Sequence, residues 1–280
     1  MKKVPLLFFL VLSLSACQHP AAPVAAVAGE PSLGAVPTKA AMPAKQKVAS
    51  FDSLNPEMRT LLREHDLAPL WANQTEIMKT HPAMEGFYGP DYYRISFYFS
   101  EVKRDSARLN VFHVKGLDRY KKAITPFVGI ITVQSVQPFS KGMVVDADSS
   151  ARAFTAMGRF ELNEDPTTQG AGNYSGKALL DFYIDGNGRI EQVFHIFGQE
   201  NPTKGCGLLF SGSQVSNQTG TRKSVAFANF YGAVVPKSLE KFGLGDRSEG
   251  VNPHLAKYGW DESWKNDEWW AKAAKPSLSL

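Results

Sequence analysis

The chain has 280 residues, 43% of them hydrophobic and 21% charged, proportions of a globular protein with a substantial core rather than of a disordered or collagen-like chain. Five of the 31 basic residues and one of the 27 acidic ones fall in the first fifty positions, so the formal charge of +4 shrinks to 26 of each sign from position 51 onward. A domain with no net charge lacks the electrostatic footprint of nucleic-acid binding, and that class of function is excluded.

Met1-Lys2-Lys3 is a short positive segment, Val4 to Leu14 is an apolar run broken by Pro5 and Ser13, and Ser15-Ala16 supplies small residues before Cys17. This order is that of a secretory signal peptide over residues 1–16. The apolar run is well short of the roughly 20 residues that a membrane-spanning helix needs. Leu14-Ser15-Ala16-Cys17 resembles the lipobox of bacterial lipoproteins. The resemblance implies lipidation of Cys17, cleavage just before it, and a mature chain carrying several acyl chains such as palmitate. At about 0.8 kcal/mol per buried methylene, more than one chain anchors a protein stably. It also implies an exported protein held on a bacterial membrane. Gln18, in place of the Asp that resembles an inner-membrane retention signal, favours the outer membrane in a cell that has one.

Residues 17–50 then comprise the lipidated cysteine and a tether: the stretch after Cys17 is rich in Ala and Pro and has no aromatic residue and no sustained hydrophobic period. In extended form such a segment reaches roughly 3 Å per residue. With Cys17 acylated, Cys206 is left as a free thiol in a disulfide-permissive compartment. Its place between Gly205 and Gly207, just before Leu208-Leu209-Phe210, predicts a packed strand residue rather than a nucleophile.

Residues 51–280 read as a single mainly-β domain. Asn55-Pro56-Glu57 predicts a helix start, with Asn as N-cap, Pro in the first turn and an acid facing the dipole. A short helix to about His65 follows, its apolar face formed by Met58, Leu61 and Leu62, and Leu67 to Trp71 packs beside it. From Gly86 onward, turn residues recur every 8 to 15 positions between β-branched and aromatic runs, as in sandwiches and barrels. Ile95, Phe97 and Phe99 share one face of a strand. So do Phe154, Ala156, Gly158, Phe160 and Leu162, and again Ala178, Leu180, Phe182 and Ile184. Asp185-Gly186-Asn187-Gly188 supplies residues that accept positive φ and predicts a tight hairpin rather than a calcium loop, whose alternating acids and closing Glu are absent.

A weak repeat runs through the domain. Ser96–Phe99, Val111–Val114 and Phe127–Gly129 match Asp181–Ile184, Val193–Ile196 and Phe210–Gly212 at similar spacing. Two such three-strand meanders with intervening strands give eight to ten antiparallel strands, and an up-and-down barrel would remove their edges. A β-sandwich is the alternative. In strand count, and in Gly86-Phe87-Tyr88 near a Gly-x-Trp position, the domain resembles the lipocalin and avidin group of ligand-holding barrels, although Trp is absent here. At the C-terminus, Asp261 can cap a Trp-rich helix to about Lys272, carrying Trp260, Trp264, Trp269 and Trp270. This helix would pack on the outside or open end of the sheet, or offer a sugar-stacking or membrane-facing surface.

No phosphate loop, nucleophile elbow, zinc-protease helix or dinucleotide fingerprint occurs, and the sequence names no cofactor, metal ligand set or catalytic residue. His113 and His195 occupy equivalent places in the repeat, as do Tyr98 and Tyr183. The four are candidate ligand-binding residues of one cavity holding a small apolar or anionic ligand. Solvent-facing strand positions are the plainer reading of the two histidines. Lys103-Arg104 and Arg119-Tyr120-Lys121-Lys122 are basic clusters at strand ends, either a solvated rim or a patch for anionic lipid or polysaccharide. The function expected is that of a membrane-anchored, non-catalytic ligand-binding or envelope-interaction module. The alternative is a hydrolase acting on cell-envelope material, using Asp181 and Asp185 or the two histidines.

Overall fold

In the computed structural model, which describes residues 50–79, 81–139, 150–193, 202–239, 242–244, 253–261, 263 and 268–272, the Asn55 side chain accepts a hydrogen bond of 2.8 Å from the Met58 amide. That bond satisfies one of the orphan amides opening helix α1, Pro56–Glu64, as an N-cap should. Met58 and Leu62 are its buried face. Its other end is closed from a distance: Arg104 donates to the carbonyls of Leu62 (2.7 Å) and His65 (3.0 Å), a cation placed at the negative end of the dipole. A single further turn, α2 (Ala68–Trp71), buries Leu70 and Trp71.

Nine strands follow: β1 (Met84–Tyr88), β2 (Tyr93–Arg104), β3 (Val111–Tyr120), β4 (Ala123–Pro138), β5 (Arg152–Glu164), β6 (Gly172–Ile184), β7 (Ile190–Gln192), β8 (Leu208–Ser216) and β9 (Arg222–Ala228). Hydrogen bonds join β1 to β2, and so on in sequence to β6, then β6 to β8, β8 to β9 and β9 back to β1. All of these pairs are antiparallel, so eight strands form a closed ring. Closure leaves no strand of the ring with an unpaired edge, the physical advantage of a barrel over a sandwich. The hairpin predicted at Asp185 is the β6–β7 turn: its carboxylate accepts from the amides of Asn187 and Arg189.

Among the described residues the repeat is not carried into the sheet, and Phe194–Ile196 of its second copy lie outside them. The first copy is a meander in which β3 lies between β2 and β4. In the second, β8 pairs directly with β6 along Gly172–Leu180, and β7 pairs only with the three residues Phe182–Ile184 beyond it. One edge of β6 is thus shared end to end, and β7 is a spur outside the ring.

Period-two alternation turns Ile95, Phe97 and Phe99 inward, with Ala156, Phe160 and Leu162 and with Ala178, Leu180, Phe182 and Ile184, all buried in one core. Irregularities between Phe99 and Glu101 and between Val133 and Ser135 shift the register, so the inward phase changes there and Arg104 faces α1. The interior is filled by rings. Phe227 stacks on Phe97 (centroids 3.9 Å apart) and on Phe210 (4.7 Å), with Phe160 against Phe210 and Phe227. Room for them comes from glycines: a Cβ on Gly176 of β6 would lie 2.6 Å from the Cα of Gly212 on β8, so neither position accepts a side chain. Trp71 of α2 packs on Phe112 and Phe210, plugging the end of the barrel where β2 finishes and β3 begins.

A second apolar cluster lies on the outside of β1. Phe87 points away from the barrel into Leu244, Leu255 and Trp260, flanked by Tyr231 and Phe242. The C-terminal part is less helical than its sequence predicts: 3-10 turns cover Pro253–Tyr258, and only Trp269–Lys272 is α-helical (α3) among the described residues. Gly259 takes φ 74° and Trp260 is drawn into the outer cluster. Ser263 then donates from both its amide and its hydroxyl to the Trp260 carbonyl. Asp261 therefore sits in a turn. Trp264 lies outside the described residues.

Candidate functional site

His113, Tyr98 and Tyr183 are all on the outer face, because their neighbours Phe112, Val114, Phe97, Phe99, Phe182 and Ile184 point into the core. His113 pairs through Nε2 with Asp105 at 3.0 Å. Arg108 and then His113 hold the Asp105 carboxyl well below the usual range. Tyr98 stacks on Trp270, and burial pushes its phenol up. These side chains do not line a common cavity inside the barrel. His195 and Cys17 lie outside the described residues.

The acids named for hydrolysis are held in structural bonds. Asp181 accepts from Thr155 (2.6 Å) and from Thr203 beneath the loop before β8, and burial raises its pKa against those two bonds. Asp185 closes its turn and pairs with Arg189. Cys206, in that same loop, is 2% exposed, and burial pushes its thiol up to about 12. It is a packed residue, as the flanking glycines and apolar run suggest.

The end of the barrel opposite α2 carries a polar layer that sequence reasoning missed. Asp118, Glu164, Tyr174, Gln214 and Tyr88 occupy inward positions at the ends of β3, β5, β6, β8 and β1, and all are buried. Tyr88 donates to Gln214. Gln214 Nε2 and the Gly172 amide donate to Glu164 Oε2 at 2.5 and 2.6 Å. Asp118 faces Glu164, and its pKa rises well above the carboxylate range, first through burial and then through the Glu164 charge. Glu164 is raised by burial but held back by the Gln214, Gly172 and Asp118 bonds. Burial and the neighbouring Glu164 thus both favour the protonated form of Asp118. A signal was present: Val114, Gly116 and Asp118 continue the inward phase of Phe112, so the period alone puts a carboxyl inside.

On the outer face near this end, an open groove of about 890 Å3 separates the strands from the C-terminal segment. Arg94 and Ser96 of β2, Arg119 of β3, Lys121 and Lys122 of the β3–β4 turn and Ile124 of β4 form one wall. Ala256, Gly259, Asp261 and Trp269 form the other, with Tyr93 also lining it. Gly259 lets the segment approach: a Cβ there would meet the Tyr93 ring at 2.5 Å. Arg94 is matched by a two-point ion pair with Glu85, at 2.7 and 2.9 Å, and covers Trp260. Arg119 lies over Trp269 at 5.1 Å, and Lys121 over Tyr93 and Tyr120. Among the described residues, the lining carries the cations Arg94, Arg119, Lys121 and Lys122 and the carboxylate of Asp261, and Arg94 is paired with Glu85. The cluster Arg119–Lys122 and Trp269, far apart in sequence, thus meet. The other basic pair does not contribute, since Lys103 pairs with Glu101 and Arg104 caps α1. No family model matches the chain, and neither curated proteins nor solved structures yield a match.

Proposed function

We propose that the chain is a lipid-anchored, exported protein of the bacterial cell envelope, acting as a non-catalytic binding module through its outer surface. The order of charge, apolar run, small residues and cysteine in Met1–Cys17 supports the anchor, and the aromatic filling of the barrel supports outer-surface binding. A lipocalin- or avidin-like carrier needs an interior cavity, whereas here Phe97, Phe210 and Phe227 stack across the axis. Among the described residues, the groove lined by Arg119, Lys121, Lys122 and Trp269 offers a concave surface for a ligand. The observation that carries the binding reading is this pairing of a ring-filled interior with an open, cation-lined groove.

The anchor is tested by expressing the wild-type chain and Cys17→Ser and measuring intact mass and detergent-phase partitioning. Acyl mass and partitioning in the wild type alone are expected. A Cys17→Ser protein that still enters the detergent phase would refute the lipoprotein reading.

A further inference from the structure

Beyond the outer-surface reading and independently of it, we propose that the polar layer at the barrel end opposite α2 is a site for a hard divalent cation of the calcium type, with Asp118 and Glu164 as its charged ligands. The fold brings the two carboxyls together from strands that are not neighbours. Asp118 of β3 stands opposite Thr125 of β4, Glu164 of β5 stands opposite Phe127 of the same strand, and the two acids face each other across β4. They are 1% and 6% exposed. Among the described residues neither acid is paired with a Lys or Arg, so the protein brings no cation of its own to a place where a buried charge must be met by an opposite one. A second observation points to a ligand: Asp118 Oδ2 is buried and has no hydrogen-bond partner among the described residues, and a buried acceptor left unsatisfied carries its full desolvation penalty. A divalent ion between the two carboxylates brings the layer to neutrality. With no ion, protons relieve the same charge, and coordination releases them.

The donor set selects the ion. No His, Cys or third acid joins the pair among the described residues, so the nitrogen and sulfur ligands that zinc and the later transition metals prefer are not offered. What accompanies the two carboxyls is neutral oxygen. The charges acting most on the buried Tyr174 phenol are those of Asp118 and then Glu164, which places its hydroxyl near both. Gln214, opposite Tyr174 on β8, brings an amide oxygen to the same layer. Glu164 is oriented by two hydrogen bonds that both end on Oε2, from Gln214 and from the Gly172 amide, and its Oε1 is the oxygen left for an ion. Calcium accepts such an all-oxygen set in flexible geometry with about six to eight donors, whereas magnesium demands a near-ideal octahedron and keeps several waters, which a layer this closed does not suit. The layer lies one inward position from the barrel mouth, where Tyr120 follows Asp118 on β3 and Lys223 stands opposite Gln214 on β9. Tyr120 is half-buried and Lys223 exposed, so an ion enters past mobile side chains rather than through the packed rings.

The test uses the intact chain in detergent, freed of metal with EGTA and exchanged into chelator-free buffer near neutral pH. Calcium chloride is titrated in by calorimetry, and thermal melts are run with calcium or with EGTA, magnesium chloride serving as the control. One calcium per chain is expected, with a melting midpoint raised by roughly 5 °C or more at about a hundred times the dissociation constant. Binding should weaken at least about tenfold in Asp118→Asn and in Glu164→Gln, each of which removes one ligand charge. In EGTA, Asp118→Asn should melt no lower than the wild type, because its amide donates to Glu164 and buries no charge; with calcium the order should reverse. A wild-type chain that takes up no calcium and melts unchanged would overturn the site, and this result decides even where a variant fails to fold. Calcium affinity equal in the wild type and both variants would place the ion elsewhere and overturn the assignment to Asp118 and Glu164. An equal response to magnesium would overturn the choice of calcium. None of these readouts involves acyl mass or the outer groove, so the site fails or stands apart from the binding-module reading.

Discussion

Phe227→Ala tests whether the barrel is solid, on which outer-surface binding depends. Phe227 has no exposed surface. It is stacked between Phe97 at 3.9 Å and Phe210 at 4.7 Å, with the Phe160 ring edge at 5.9 Å. Truncating a buried Phe costs about 3–5 kcal/mol through lost transfer energy and the cavity left behind. Aromatic pairs each add about 0.5–1.5 kcal/mol beyond buried area. Two stacked partners and one edge contact put this site at the upper end, about 5 kcal/mol. That is comparable to the whole stability of many domains, about 5–15 kcal/mol. Urea unfolding followed by tryptophan fluorescence would measure the shift in midpoint, with Phe230→Ala as control. Phe230 is 52% exposed, and its loss should stay below about 1 kcal/mol. A Phe227→Ala cost near that of Phe230→Ala would mean a loosely filled interior with room for a ligand, and the case for the outer groove would fail.

Three further outcomes are expected. Asp118 and Glu164 both bind protons more tightly folded than unfolded, so their contribution is complete below the unfolded values of about 4 and is lost as pH rises through the folded ones. Asp118→Asn, which keeps a donor to Glu164, should therefore gain stability over the wild type progressively from about pH 4 to neutrality in thermal melts. An advantage that shrinks over that range would contradict the raised pKa of the two carboxyls. Cys206 should resist iodoacetamide in the native state and react once unfolded, because its thiol is buried and pushed up to about 12; native labelling at a free-thiol rate would refute the packing of the loop before β8. Asn55→Ala removes the cap on the Met58 amide and should cost about 1 kcal/mol, read as a lowered denaturation midpoint with an unchanged slope. No change would mean that α1 is held by Met58 and Leu62 packing alone.

Local chemistry made part of this protein legible from its residues. The Asn55-Pro56 start of α1, the Asp185 turn and the inward faces of β2, β5 and β6 depend on φ preferences, capping bonds and a period of two, all carried by a few adjacent residues. Asp118 was legible too, by extending the phase of β3, but its significance was not, since Glu164 and Gln214 come from strands far along the chain. The repeat misled for the same reason: similar strands at similar spacing do not determine which edge each will take, and β8 rather than β7 completes the ring. Register shifts in β2 turned Arg104 from an apparent surface charge into the cap of α1. The groove belongs wholly to tertiary structure. Arg119 and Trp269 meet because the C-terminal segment is drawn across the barrel by Phe87 and Trp260, a non-local burial of apolar surface that no window of sequence contains.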